Sequence, residues 1–133
     1  MVVGSGTDGG EMSFTILDAT GPIISVKISG ELDRSEVSQI QAVALKAIQR
    51  WGKISALFAL DDFLGWKREG NWGDISFMTQ HDQNITKIAV VGEEQWRDLI
   101  CAFLAKGFRG AAVEYFVPTD LAKARAWLET DKG

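Results

Sequence analysis

Apolar residues recur along the chain in patterns that predict alternating strands and helices. Phe14 and Ile16 alternate with more polar neighbours, as in a half-exposed strand. Gly21-Pro22 marks a turn, and a second apolar run follows it at Ile23, Ile24, Val26 and Ile28. We therefore expect these two strands to pair as an antiparallel hairpin, with Gly30 ending the second strand.

The clearest helical pattern begins just after Gly30. Asp33 is followed three residues later by Glu36, which has the form of a capping box with aspartate at the cap. Behind it, apolar residues recur at steps of three and four, at Val37, Ile40, Ala44, Ala47, Ile48 and Trp51. The pattern predicts a strong amphipathic helix that Gly52 ends.

The rest of the chain alternates short apolar runs with helical patterns. Runs at 54–60, 87–91 and 111–117 are typical of strands that are covered on both faces. Helices are expected at 75–81, from Glu93 to Gly107 or Gly110, and from Pro118 onward. The order β-β-α-β-α-β-α-β-α predicts an α/β fold with right-handed crossovers. Its mixed five-stranded sheet has an antiparallel first strand and four covering helices.

The composition fits one soluble globular domain. The chain has 133 residues, of which 46% are apolar and 24% charged. Residues 1–12 are rich in glycine and small polar residues, so we interpret them as a flexible leader, and Met12 is a candidate natural start. One domain is then expected over residues 13–130.

Charge and hydropathy argue against several partners. The formal net charge of −4 and the pI of about 4.9 are unfavourable for nucleic-acid binding and for attraction to an anionic membrane surface. The apolar runs are too short to span a bilayer, and the N-terminus lacks the apolar core of a signal peptide. The single cysteine, Cys101, forms no internal disulfide. We therefore expect a cytoplasmic protein with no integral membrane association.

An unusual aromatic stretch, FLGWKREGNWGD, follows the third predicted strand at 63–74. We expect it to be a loop at the carboxyl ends of the strands, where open parallel sheets bind ligands. Its cations are unusual too, because acidic residues crowd the other helix starts at that edge. The candidate ligand-binding residues are Phe63, Trp66, Lys67, Arg68, Trp72 and Phe77. A loop pinned by its own aromatic side chains is the alternative.

The remaining tryptophans are expected to pack in the core. Each lies on a helical apolar stripe or at its end, namely Trp51, Trp96 and Trp127.

Catalytic and metal chemistry finds less support in the sequence. Asp61 and Asp62 offer hard oxygen ligands for Mg²⁺. A simpler interpretation is that these aspartates end the strand and cap the turn that follows it. His81 is the only histidine, and Cys101 sits in a helix where a thiol usually acts as a small hydrophobe. We therefore predict no catalytic residues, no metal site and no cofactor, and an enzyme ranks last among the candidate functions.

Five segments carry a resemblance to a known superfamily. They are GKISALFALDDFLGW at 52–66, WGDISFMTQH at 72–81, KIAVVGEEQW at 87–96, VEYF at 113–116 and AKARAWL at 122–128. Together they resemble the STAS-like, or SpoIIAA-like, superfamily, and more narrowly the small bacterial STAS/SEC14-like domain proteins. The resemblance covers roughly residues 13–130 and implies a fold far more than an activity.

The superfamily implies two functional expectations. Anti-sigma-factor antagonists carry a phosphorylatable hydroxyl in an Asp-Ser-type motif after the third strand. This chain reads DDFLG at 61–65, without a hydroxyl, and Ser76 lies deeper in the next predicted helix. The SEC14, or CRAL-TRIO, group instead holds apolar ligands beside its sheet.

From these observations we expect a non-enzymatic binding or regulatory module. It would take a small apolar or amphipathic, lipid-like ligand, or a protein partner, around 63–77. The alternatives are a homodimeric interaction protein, and an antagonist-like regulator that lacks the usual serine.

Overall fold

The computed structural model describes residues 13–67, 80–104 and 112–130. Within these ranges the strands are β1 (Phe14–Asp18), β2 (Ile23–Leu32), β3 (Ile54–Trp66), β4 (Ile85–Val91) and β5 (Ala112–Phe116). The α-helices are α1 (Arg34–Trp51), α2 (Arg97–Phe103) and α3 (Leu121–Glu129). Short 3₁₀ turns stand at Asp82–Asn84, Glu94–Trp96 and Pro118–Asp120.

The described chain shows three α-helices where the sequence predicts four. The predicted helix at 75–81 lies mostly outside the described residues, and of it only Gln80 and His81 are described, both helical. The proposed leader at 1–12 also lies outside the described residues.

The strands form one mixed sheet in the order β1-β2-β3-β4-β5. β1 pairs antiparallel with β2, and every later pairing is parallel. One row crosses the whole sheet, through Ile16, Val26, Phe58, Val90 and Tyr115. The predicted α/β class and strand directions are therefore confirmed.

Helices cover both faces of the sheet, which explains why its inner strands are continuously apolar. Successive side chains of a strand point to opposite faces. In β4, Ile88 and Val90 join the larger core cluster with residues of α1 and α2. Ala89 and Val91 join the smaller cluster with Ala124 and Leu128 of α3. α1 and α2 therefore share one face, and α3 covers the other.

α1 is fixed at both ends as its sequence predicts. The Asp33 side chain accepts a hydrogen bond from the Ser35 backbone N–H at 2.8 Å, and Glu36 Oε1 accepts one from the Asp33 N–H at 2.8 Å. These contacts satisfy orphan N–H groups at the helix start. At the other end Gly52 has a φ of 84°, and its N–H donates to the Ile48 carbonyl at 2.7 Å.

Several predicted boundaries are wrong. β2 does not end at Gly30, because this glycine takes a φ of 66° at a register shift and the strand continues to Leu32. α2 begins at Arg97, after a 3₁₀ turn, and ends at Phe103.

Trp51 is 44% exposed, so core packing does not explain it. The guanidinium carbon of Arg50 lies 5.5 Å from the centroid of the Trp51 ring.

A buried lysine ties α3 to the sheet. Lys87 of β4 is only 3% exposed. Its Nζ donates to the Trp127 carbonyl at 2.7 Å and the Thr130 carbonyl at 3.0 Å, and also contacts Thr130 Oγ1. A cation beside these terminal carbonyls interacts favourably with the negative end of the helix dipole. The amine therefore serves as a C-terminal cap for α3.

Candidate functional site

β3 extends beyond the end of β4, and this extension positions the candidate site. β4 pairs with β3 only as far as Ala59, opposite Val91. β2 continues beside β3, with Gly30 opposite Phe63 and Leu32 opposite Trp66. The prediction of a loop at 63–74 is therefore wrong for Phe63 and Trp66, which lie in a strand.

Two unusual backbone conformations shape this end of β3. Asp62 has a φ of 56°, at a shift in the register between β2 and β3. Gly65 has a φ of 108°, which strains any residue that carries a Cβ. Trp96 Cη2 lies 3.7 Å from the position that such a Cβ would take. The positive φ therefore explains the glycine, since a Cβ there would only be in ordinary contact with Trp96.

Four aromatic side chains meet where β3 bends, and we call them the aromatic cluster: Phe63, Trp66, Trp96 and Phe103. Phe63 meets Trp66 and Trp96 edge-on, with ring centroids 5.4 and 4.8 Å apart. Trp66 lies 6.3 Å from Trp96 and 4.9 Å from Phe103. Edge-on and tilted pairs at these distances each contribute about 0.5–1.5 kcal/mol beyond their buried area. The cluster therefore fixes the end of β3 against α2.

One polar atom in the aromatic cluster is enclosed without a partner. The indole nitrogen of Trp96 is buried and has no hydrogen-bond partner among the described residues. A buried N–H that finds no acceptor costs about 1–3 kcal/mol.

A cavity of about 290 Å³ opens between α1, α2 and the sheet, and we call it the α1–α2 cavity. Its walls come from one face of β2, β3 and β4 and from the inner sides of the two helices. The described lining residues are Ile28, Leu32, Arg34, Val37, Ile40, Gln41, Ala44, Ile54, Ala56, Phe58, Leu60, Phe63, Trp66, Ile85, Ile88, Val90, Ile100, Phe103 and Leu104. Almost all of them are apolar, which is typical of a small-molecule site.

Positive charge lies at the end of this cavity where α1 begins. Among the described lining residues, Arg34 carries the only charge and Gln41 the only amide. Arg34 Nη1 donates to Ser38 Oγ at 2.8 Å. Lys67, which follows Trp66, lies 3.9 Å from an Asp33 carboxylate oxygen. Hydrogen bonds from Ser35, with a smaller contribution from Lys67, hold the pKa of Asp33 below its ordinary value.

The structure brings together half of the residues predicted for the site. Phe63, only 5% exposed, and Trp66 line the α1–α2 cavity. Lys67 lies near the end of the cavity that Arg34 lines, because its Nζ contacts Asp33, the residue before Arg34. The other three candidates, Arg68, Trp72 and Phe77, lie outside the described residues.

Sequence reasoning missed three contributors to this region. Trp96 was expected only in a core stripe, and Phe103 and Arg34 were not candidates. Trp96 and Phe103 nevertheless complete the aromatic cluster, and Arg34 lines the cavity. A signal existed for Trp96, because it follows the carboxyl end of β4 at the edge where ligands bind.

A second group of contacts closes the carboxyl end of β4. The Tyr115 hydroxyl donates to the Glu93 carbonyl at 2.6 Å. A Cβ at Gly92 would stand 2.6 Å from that hydroxyl and 2.8 Å from Leu60 Cδ1, so only glycine fits there. Burial raises the pKa of Tyr115 to about 12, partly opposed by the charge of Arg97. Close packing, and not a phosphate-binding turn, explains Gly92.

The charges beside Tyr115 largely satisfy each other. Arg97 Nε donates to Glu94 Oε2 at 2.6 Å, and its guanidinium carbon lies 5.2 Å from the Tyr115 ring centroid. The hydrogen bond from Arg97 lowers the pKa of Glu94, and the same bond raises the pKa of Arg97.

The structure separates the polar residues considered for catalysis or metal binding. Asp61 is exposed and lies 3.9 Å from Lys27 Nζ, while Asp62 sits in the bend of β3. His81 follows in a different segment, and Cys101 packs against the larger core cluster. Residues 13–67, 80–104 and 112–130 contain no group of three or more His, Cys, Asp or Glu able to hold a metal ion.

Fold and cavity together define a small α/β domain with a ligand-sized apolar space on one face of its sheet. A family model described as SpoIIAA-like matches residues 23–129, and the chain belongs to this SpoIIAA-like family. The predicted superfamily is therefore confirmed. In the described residues, no helix has the length and apolar character that crossing a membrane requires.

A solved structure with the same fold supports the assignment. It is an uncharacterised protein from the DUF3478 family, with a SpoIIAA-like fold, from Shewanella loihica PV-4. The TM-score is 0.68 at 18% sequence identity, over 92% of this chain and 99% of that chain. At this identity the likeness concerns the fold alone. A search of curated proteins finds no match.

Proposed function

We propose that this SpoIIAA-like domain is a non-enzymatic binding module that holds the apolar chain of an amphipathic ligand in the α1–α2 cavity. The observation that carries the proposal is the cavity itself, about 290 Å³ and lined almost entirely by apolar side chains. Burial of apolar surface would drive binding, and no bond is made or broken. Its cytoplasmic location stays a prediction from the sequence.

The size of the cavity limits the ligand. Small-molecule pockets usually measure about 300–1,000 Å³, so this cavity of about 290 Å³ is just below that range. At roughly 30 Å³ for each water-sized group, it holds about ten such groups. A single chain of about eight to ten carbons is therefore the appropriate size, and a two-chain lipid is too large.

The charges at the cavity favour an anionic end group. Arg34 lines the α1 end, and Lys67 lies nearby. A carboxylate or phosphate there gains charge-assisted hydrogen bonds without entering the apolar part of the cavity. A cationic end group meets the like charge of Arg34 instead. We therefore expect the protein to prefer decanoate over decyltrimethylammonium.

Isothermal titration with a series of saturated carboxylates tests this proposal. Each buried CH₂ contributes about 0.8 kcal/mol, which is about a fourfold gain in affinity per carbon. We expect that gain from hexanoate upward, one-to-one stoichiometry, and a plateau near about ten carbons where the cavity is full. Decyltrimethylammonium is the matched control for charge.

Two results would count against the ligand proposal. Gains that continue without a plateau would indicate non-specific adsorption. A folded protein that binds no carboxylate of any chain length would overturn the proposal.

A homodimer is the second candidate function, and one observation favours it. Leu99 and Phe103 stand one helical turn apart on α2 and are 55% and 43% exposed. Apolar pairs of this kind are commonly buried between identical subunits. Light scattering on the wild type and on Leu99→Lys tests it. A dimer that dissociates in the variant supports this candidate, and a monomer at every concentration removes it.

A further inference from the structure

Gln41 carries the only amide among the described residues that line the α1–α2 cavity. Its side chain is half-buried. An amide offers an acceptor oxygen and two N–H donors in one group. In mostly apolar small-molecule sites, the few polar groups fix the orientation of the ligand and determine specificity. Gln41 is therefore a candidate to recognise an uncharged polar part of the ligand.

Gln41 and Arg34 stand on the same edge of α1. At 3.6 residues per turn, seven residues fall only about 20° short of two full turns. Val37 and Ala44, which also line the cavity, lie between this edge and the buried Ile40. The two polar side chains therefore border the apolar stripe of α1 that faces the cavity.

The guanidinium of Arg34 extends along this edge towards Gln41. Arg34 Nη1 donates to Ser38 Oγ at 2.8 Å, so the side chain reaches one helical turn forward. Ser38 and Gln41 are three residues apart, which is about 4.5 Å along the helix axis. Side chains at this spacing are neighbours on a helix surface. A guanidinium and an amide are thus placed within reach of a single ligand head group.

The chemistry of the two side chains selects a head group with two parts. The proposed function places anionic oxygens at Arg34. Next to them, Gln41 both donates and accepts hydrogen bonds, and a secondary amide of the ligand has one acceptor and one donor to match. An ester offers only the acceptor, and a methylene offers neither. In an acylated amino acid the amide and the carboxylate are one residue apart, about 3.5 Å, which is close to the spacing on α1.

We infer that Gln41 hydrogen-bonds the amide of an acylated amino acid. The carboxylate of this ligand pairs with Arg34, and its acyl chain lies in the α1–α2 cavity. Gln41 is then the residue that distinguishes acylated amino acids from simple carboxylates of the same length. This inference rests on the proposed function, since it requires an apolar chain in the cavity.

Two probes with main chains of equal length test the inference. N-octanoylglycine and undecanoate both end in a carboxylate, and only the first contains an amide. The variant Gln41→Met removes the amide of the protein but keeps an unbranched side chain of similar length and helix propensity. Gln39→Met is the matched control, because Gln39 is exposed on the same helix and is not among the residues that line the cavity.

Titration calorimetry gives the affinity of each probe for the wild type and the two variants. We expect Gln41→Met to weaken N-octanoylglycine binding about three- to tenfold, the size of one neutral hydrogen bond. Undecanoate has no group for Gln41 to recognise beyond its carboxylate, so its affinity should stay within about twofold in every protein. Gln39→Met should bind both probes as the wild type does.

The outcomes separate failure of the inference from failure of the proposed function. Equal loss of both probes in Gln41→Met would show a packing role for this side chain and overturn the inference. Unchanged affinity for both probes would overturn it too. A wild type that binds undecanoate but not N-octanoylglycine would reject the inference and leave the proposed function standing. If the wild type binds neither probe, the proposed function fails and the inference fails with it.

Discussion

Gly92 and Tyr115 show how single residues shape the carboxyl edge of the sheet. Gly92 leaves room for the Tyr115 hydroxyl, which would stand 2.6 Å from any Cβ there. The hydroxyl in turn reaches the Glu93 carbonyl. The sequence shows a glycine after a strand, but the reason for it lies in β5, which is distant in the chain. Residue-level roles of this kind require the tertiary structure.

Tyr115 should titrate well above an ordinary tyrosine. Burial disfavours the charged phenolate and raises its pKa from 10.0 to about 12. Its contribution to stability is therefore fully present below pH 10 and is lost as the pH rises towards 12. Because Tyr115 is the only tyrosine, the ultraviolet absorbance of tyrosinate reports this group directly.

Circular dichroism at each pH provides the control for that titration. A midpoint near 10 while the protein stays folded would show that Tyr115 is not buried as described.

Elements whose signals are local were predicted well from the sequence. The capping box at Asp33 and Glu36 and the stop at Gly52 each depend on residues within one helical turn, and the structure has both. β3 was predicted too short for the opposite reason. Its continuation to Trp66 depends on pairing with β2 and on positive φ values at Asp62 and Gly65, which no local pattern reveals.

The candidate site was predicted only in part because it is assembled from several elements. The aromatic composition near 63–66 directed attention to Phe63 and Trp66, which do line the cavity. Their contacts with Trp96 and Phe103 come from α2 and the turn before it. Periodicity places those two residues on a helix, but it does not show which strand end they meet.

The N-terminal cap of α1 should make stability depend on pH. Hydrogen bonds from Ser35 lower the pKa of Asp33. A lowered carboxyl pKa gives stability that is present above the ordinary value of 3.8 and is lost as the pH falls below it. Asp33→Asn keeps a good cap without this titration.

Urea denaturation of the wild type and Asp33→Asn between about pH 6 and pH 3 measures that effect. We expect the wild type to lose its advantage over the variant as the pH falls below 3.8. A difference in the free energy of unfolding that does not vary with pH would contradict this role of Asp33.

At the scale of the whole molecule, the sheet divides the protein into two unequal layers. On the α3 side, Leu57, Ala89 and Val91 of the sheet pack against Ala124 and Leu128 in the smaller cluster. On the other side, α1 and α2 flank about 290 Å³ of apolar space. This asymmetry is the reason why we propose the α1 and α2 face as the functional one.

One comparison of two α1 variants tests the central claim, which is that this space holds a ligand. Ala44 lines the cavity, whereas Ala42 is exposed on the same helix. Ala44→Phe should fill the space, and Ala42→Phe adds the same ring outside it. Decanoate affinity is measured for both by titration calorimetry, with thermal unfolding as a check that each is folded.

We predict that Ala44→Phe reduces decanoate affinity at least about tenfold, since a ring displaces several methylene groups worth about 0.8 kcal/mol each. Ala42→Phe should bind as the wild type does. Equal decanoate affinity in the two folded variants would contradict the claim that the α1–α2 cavity is the binding site.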